Sequence, residues 1–136
     1  MASRVLTEEL SGEVAALART FGDEEAEHVA ALTKAIEGLG GTPASKPQAS
    51  FPNDGQAAFL KLAQTLEDTG VSAYNGAAPR IQSKEVLAAA GSIVQVEARH
   101  AASIRLLNGE DPAPVAFDQT LQEEQVLSAV EPFIGA

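Results

Sequence analysis

Cysteine is absent from the 136-residue chain. That excludes disulfide frameworks, thiolate chemistry and every zinc or iron–sulfur site built on sulfur ligands. Tryptophan is absent as well, and aromatics reach only 4%, as five Phe and one Tyr. A core this poor in rings has to be packed by Ala, Leu, Val and Ile, as helix-on-helix layers are. Positive charge is scarce: 9 Lys and Arg stand against 19 Asp and Glu, for a net charge of −10. A nucleic-acid footprint needs clustered Lys and Arg, so no nucleic acid is expected as a partner, and an anionic membrane surface is disfavoured for the same reason. No stretch of about 18 apolar residues exists to span a membrane, and Met1 to Leu10 has no apolar run of signal-peptide length. The sequence predicts a soluble chain and leaves its compartment open: bacterial cytoplasm, or export from a longer precursor with a signal. Convincing two-residue alternation is also missing, which argues against strands.

What the sequence has is three- and four-residue periodicity. Hydrophobic residues make up 45% of a chain of single-domain length, enough for one core. From Val86 to Leu107 a seam runs through Val86, Ala90, Ile93, Glu97, His100, Ile104 and Leu107, the pattern of a helix facing other helices. An earlier segment starts near Thr7 or Ser11 and carries Leu10, Val14, Leu17, Phe21, Glu25, His28, Leu32, Ile36 and Leu39 on one face. Gly38, Gly40, Gly41 and Pro43 end it. Residues 40–54, with Pro43, Pro47 and Pro52, form an extended crossover, long enough for the next helix to run parallel to the first. That helix, capped by Asn53 or Asp54 and running to about Gly76, presents Leu60, Ala63, Glu67, Gly70 and Tyr74. A loop from Asn75 to Ser83 leads into the helix Lys84 to Asn108, which Gly109 and Pro112 terminate. A short helix from Thr120 to Val130 follows, with Thr120 and Glu123 as a capping box. The fold class is all-α, a helical bundle of three long helices plus a short C-terminal one.

The chain has only two histidines, and each follows a glutamate by three residues: Glu25 and His28, Glu97 and His100. A Glu and a His at i and i+3 share one helical face and can bind one metal ion. Two such pairs on facing helices, joined by Glu67 from a third, are the parts of a dinuclear carboxylate site, and this mix of oxygen ligands and imidazole suits iron or manganese. All five residues lie near the middle of their helices, at one level of a bundle. The alternative is a metal-free, hydrogen-bonded network in which each carboxylate orients an imidazole. Tyr74 reads as a core residue or as a tyrosine near the metals, Glu24 as part of a solvated acidic face or a substitute ligand, and Arg99 and Arg105 as surface ion-pair partners of small value.

With these residues in view, the sequence resembles the bacterial ferritin-like proteins related to plant desiccation-response proteins. The resemblance rests on the run Asp23 to Leu32, on Phe59 to Tyr74 with Leu66-Glu67-Asp68-Thr69-Gly70-Val71, on Glu97 to His100, and on Ala116-Phe117-Asp118 with Pro132-Phe133-Ile134. It implies a ferritin-like four-helix bundle with a di-iron site at Glu25, His28, Glu67, Glu97 and His100. The implied chemistry is oxidation of ferrous iron by dioxygen or peroxide, or stress protection.

One departure stands out: such bundles begin with another helix bearing a terminal glutamate, and nothing before Thr7 supplies one. The expectation is therefore a chain truncated at its N-terminus, or a homo-oligomer in which a second copy or a swapped element fills the groove. The Thr120 to Val130 helix, about 16 Å long, is too short to cover a seam of roughly 35 Å. A rival function from another class is a metal-free structural or stress-associated protein acting through self-association.

Overall fold

Helix boundaries follow from where the chain can satisfy its terminal backbone groups. The computed structural model describes residues 10–52 and 54–134. It divides into two units, Met1–Pro47 and Gln48–Ala136. In the first unit, α1 runs Gly12–Gly38 with Ser11 at its N-cap; Thr7, the other candidate cap, lies outside the described residues. Its end is a Schellman motif: Gly41 N–H donates to the Ile36 carbonyl (2.9 Å), and Gly40 N–H donates to that of Glu37 (2.9 Å). Gly40 takes the required left-handed conformation, φ 79°, which costs a glycine nothing. The predicted seam frays at this end, because Ile36 and Leu39 are exposed.

The second unit holds α2 (Gln56–Ala77), a 3-10 turn (Ala78–Arg80), α3 (Lys84–Leu107), α4 (Glu123–Val130) and a closing 3-10 turn (Glu131–Phe133). The N-cap of α2 is Gly55, at φ 86° and ψ 178°, in place of the expected Asp54; Asn53, the other candidate, lies outside the described residues. That backbone geometry is open only to glycine, so conformation overrode the side-chain capping preference. Ser83 caps α3 conventionally, its Oγ accepting from Val86 N–H at 3.3 Å. A second Schellman motif closes α3: Glu110 N–H donates to the Arg105 carbonyl (2.8 Å) and Gly109 N–H to that of Leu106 (3.1 Å). The capping box of α4 is formed by Gln122 and Gln125, correcting the expected Thr120 and Glu123. Thr120 sits too early because Leu121 is committed to α2, its N–H donating to the Ser72 carbonyl at 3.0 Å.

The protein is all-α. Among the described residues the one β feature is an isolated antiparallel bridge, Ala49 with Ile134. It pins the second half of the crossover to the C-terminal segment, with Ser50 N–H donating to the Phe133 carbonyl (2.9 Å) and the Phe51 and Phe133 rings stacked at 5.9 Å. The short connection makes α2 and α3 antiparallel, and α4 returns against α2. On α3 the buried residues are Ala90, Ile93, Glu97, His100, Ala101 and Ile104, the middle of the expected seam with Ala101 added, while Val86 and Leu107 at its ends are half-buried. On α2 they are Leu60, Val71, Ser72 and Gly76, of which only Leu60 belongs to the expected face. The segment around Leu121 and Gln122 covers Ser72 and Gly76.

Glycine in mid-helix has opposite meanings at two positions. A Cβ at Gly76 would collide with the Leu121 carbonyl oxygen, whereas one at Gly22 meets nothing within 4 Å. Gly22→Ala is therefore expected to raise stability by about 0.5–1 kcal/mol through helix propensity. Gly76→Ala should instead destabilise by about 1–3 kcal/mol, because the backbone of the C-terminal segment must move. Urea titrations of both variants check the signs.

Candidate metal centre

The α3 period places Glu97 and His100 one turn apart on the buried face, at 6% and 2% exposure. Burying two such groups side by side is costly unless they are paired, hydrogen-bonded or bound to a cation. Across from them on α2, Glu67 is largely buried, and its Oε2 stands 3.4 Å from Nδ1 of His100. Glu67, Glu97 and His100 each offer one ligand atom, and these atoms lie within 4.8 Å of one another. Gly70, one turn beyond Glu67, faces the same carboxylate: a Cβ there would lie 3.5 Å from Oε2 of Glu97. The missing side chain keeps the flank of Glu97 open.

In the first unit, α1 holds the other pair. His28 Nδ1 stands 3.5 Å from Glu25 Oε1, with the imidazole well covered and the carboxylate half-exposed. Both histidines thus turn the same nitrogen, Nδ1, toward a carboxylate oxygen. The pairing itself differs between the helices: His28 faces the glutamate of its own helix, and His100 faces Glu67 of its neighbour.

These distances bear on what the groups can hold. A neutral N–H···O hydrogen bond spans about 2.7–3.2 Å, so 3.4 and 3.5 Å are longer than the usual bond. Ligands about 2.1 Å from one octahedral cation stand about 3.0 Å apart when adjacent and about 4.2 Å apart when opposite. The α2–α3 cluster, with one pair at 3.4 Å and none beyond 4.8 Å, is slightly wider than those values, so an ion would draw the ligands together by less than about 1 Å. Two carboxylates and one imidazole form a hard, oxygen-rich donor set, suited to iron or manganese and unlike the thiolate sites that soft ions prefer. The residues present fit such an ion.

Outside the donors lies an interhelical layer that the sequence alone did not disclose. Arg105 donates from Nη2 to Oδ2 of Asp68, joining α3 to α2. Asn108 Nδ2 donates to Gln64 Oε1 (2.8 Å), while Gln64 Nε2 donates to Glu110 Oε2 (2.9 Å). Arg105 reads in sequence as one more surface charge, yet its side chain is only 16% exposed. The available signal was spacing: Gln64 and Asp68 lie at i and i+4, flanking Glu67.

Comparison with known proteins identifies the family. A family model described as a ferritin-like domain matches residues 2–110, a range that includes all five candidate ligands and stops before α4. The chain is also 30% identical over 118 residues to the protein rds1 of Schizosaccharomyces pombe. That alignment takes in 87% of this chain but 29% of the relative, so the chain spans less than a third of the length of the protein it matches.

Proposed function

The chain belongs to the ferritin-like domain family, and we propose that it binds a pair of iron or manganese ions through Glu25, His28, Glu67, Glu97 and His100. The observation that carries this reading is the buried cluster of Glu67, Glu97 and His100, with its three ligand atoms within 4.8 Å of one another. Glu67, Glu97 and His100 would supply ligands from α2 and α3, and Glu25 and His28 from α1, the glutamates through carboxylate oxygen and the histidines through nitrogen. Bound iron would supply redox chemistry, with ferrous iron as the species oxidised and dioxygen or peroxide as the oxidant.

The protein's own residues set the conditions for that chemistry. Burial of Glu97 and His100 removes competing water and strengthens every charge interaction at the site. Two carboxylates held this close repel each other, and a divalent cation between them offsets that repulsion. Gly70 keeps α2 free of a side chain beside Glu97, where a Cβ would stand in ordinary contact at 3.5 Å.

The test is metal analysis of protein purified without chelator and loaded anaerobically with ferrous iron. About two ions per chain are expected, with release of protons as the ligands bind. Substoichiometric metal, with no thermal stabilisation on loading, would instead favour a metal-free helical protein whose Glu and His groups form a structural network.

A further inference from the structure

Apolar packing between α2 and α3 does not by itself choose how far one helix slides past the other. The two faces contribute small residues, Ala63, Ala90 and Ala101, beside the larger Leu60, Ile93 and Ile104, and contacts between such side chains carry no fixed partner. Apolar contact is non-directional, whereas charge-assisted hydrogen bonds have fixed partners and fixed geometry. Polar contacts that specify register at some cost in stability are the best-attested use of such groups between helices.

The polar layer described above has the geometry for that task. Asp68 meets Arg105, and Gln64 meets both Asn108 and Glu110. Glu110 is itself held at the end of α3 by the Schellman motif, and Arg105 is largely covered. The two contacts lie one turn apart on α2 and three residues apart on α3, so both are broken by a slip of one turn. The same register sets Glu67 against His100 and Gly70 against Glu97. A slip would move Glu67 by about 5.4 Å along the axis, more than the whole spread of the ligand atoms.

We propose that Arg105 and Asp68, supported by Gln64, Asn108 and Glu110, are positioning residues that lock the α2–α3 register and so bring Glu67 onto His100 and Glu97. The consequence for metal binding rests on the reading of the site given above; the register lock itself is measurable in metal-free protein.

The absence of cysteine allows a clean distance measurement. Spin labels on cysteines replacing Lys61 and Leu87, both exposed, lie far apart along the helix axes, so a slip changes their separation almost one for one. Pulsed dipolar spectroscopy on the metal-free protein is expected to show one narrow distance in the parent. In Arg105→Met, which keeps the apolar stem, and in Asp68→Asn, which keeps the shape, a second population should emerge, displaced by about 5 Å. The exchanged pair Asp68→Arg with Arg105→Asp should return the single distance. In parallel, Co(II) titration followed by visible absorption is expected to give about tenfold weaker binding in Arg105→Met, with affinity restored in the exchanged pair.

A single unshifted distance in both single variants would overturn the register lock, and so would an exchanged pair as heterogeneous as Arg105→Met. Unchanged cobalt affinity in Arg105→Met would overturn the positioning role. If the parent takes up no cobalt, the metal reading fails instead, and the distances alone decide the register.

Discussion

His100→Ala is expected to abolish tight metal binding and to destabilise the metal-free protein. Loss of a group that merely supports a ligand costs about 10–100-fold in affinity, and a direct nitrogen ligand should cost at least that. Its side chain is 2% exposed and faces Glu67 at 3.4 Å. Removal leaves the Glu67 and Glu97 carboxylates close together in a buried site with no imidazole between them, and breaking a buried polar group of this kind costs about 3–5 kcal/mol. A fall in Tm on the order of 10 °C should result. His28→Ala serves as the comparison, since the His28 side chain is more accessible at 13%. It should lower the metal content from about two ions to about one while costing the metal-free protein less. Calorimetry with and without metal separates the two effects: the parent should gain about 2.7 kcal/mol when free metal is 100 times Kd, and His100→Ala should gain nothing. Equal stabilisation of both by metal would remove His100 from the ligand set.

Ile104→Ala is the second large effect, and it is one of packing alone. Ile104 is 1% exposed, while Leu106, two residues on, is 62% exposed. Truncating a fully buried Ile loses its transfer free energy and leaves a cavity, for about 2–5 kcal/mol in total. Leu106→Ala should stay within about 0.5 kcal/mol, as surface changes do. Ile104 lies one turn beyond His100 on the same face of α3, so its loss should also weaken metal binding by loosening the helix that carries two ligands. Guanidinium titrations of both variants measure the contrast. Similar midpoints for the two would mean that the α3 seam is oriented differently from the one described here.

How much of this was legible beforehand depended on the kind of interaction involved. The middle of the α3 seam, Ala90 to Ile104, could be read from the sequence, because burial of one helical face imposes a 3.6-residue period directly on it. Helix ends at Gly40 and Gly109 were equally plain, since only a left-handed residue completes a Schellman motif without strain. The start of α2 was not: Asp54 has the better capping side chain, but Gly55 is needed for a backbone geometry that the crossover imposes. The start of α4 was misplaced for a related reason, because the Leu121 backbone is hydrogen-bonded to Ser72, 49 positions earlier. No local pattern records that contact.

The candidate ligands divide in the same way. Sequence by itself determined that each Glu-x-x-His pair would share one helical face, because i and i+3 lie on the same side of any α-helix. It also narrowed the proposed metal chemistry, since without cysteine the good ligands left are carboxylate and imidazole. Only the tertiary structure decided which glutamate meets which histidine: His100 faces Glu67 across the α2–α3 interface, while His28 faces Glu25 on its own helix. It alone decided that Arg105 pairs with Asp68 beside the ligands. The physical reason is that periodicity specifies the direction in which a side chain points, whereas the axial offset between two helices is set by contacts between residues some 40 positions apart.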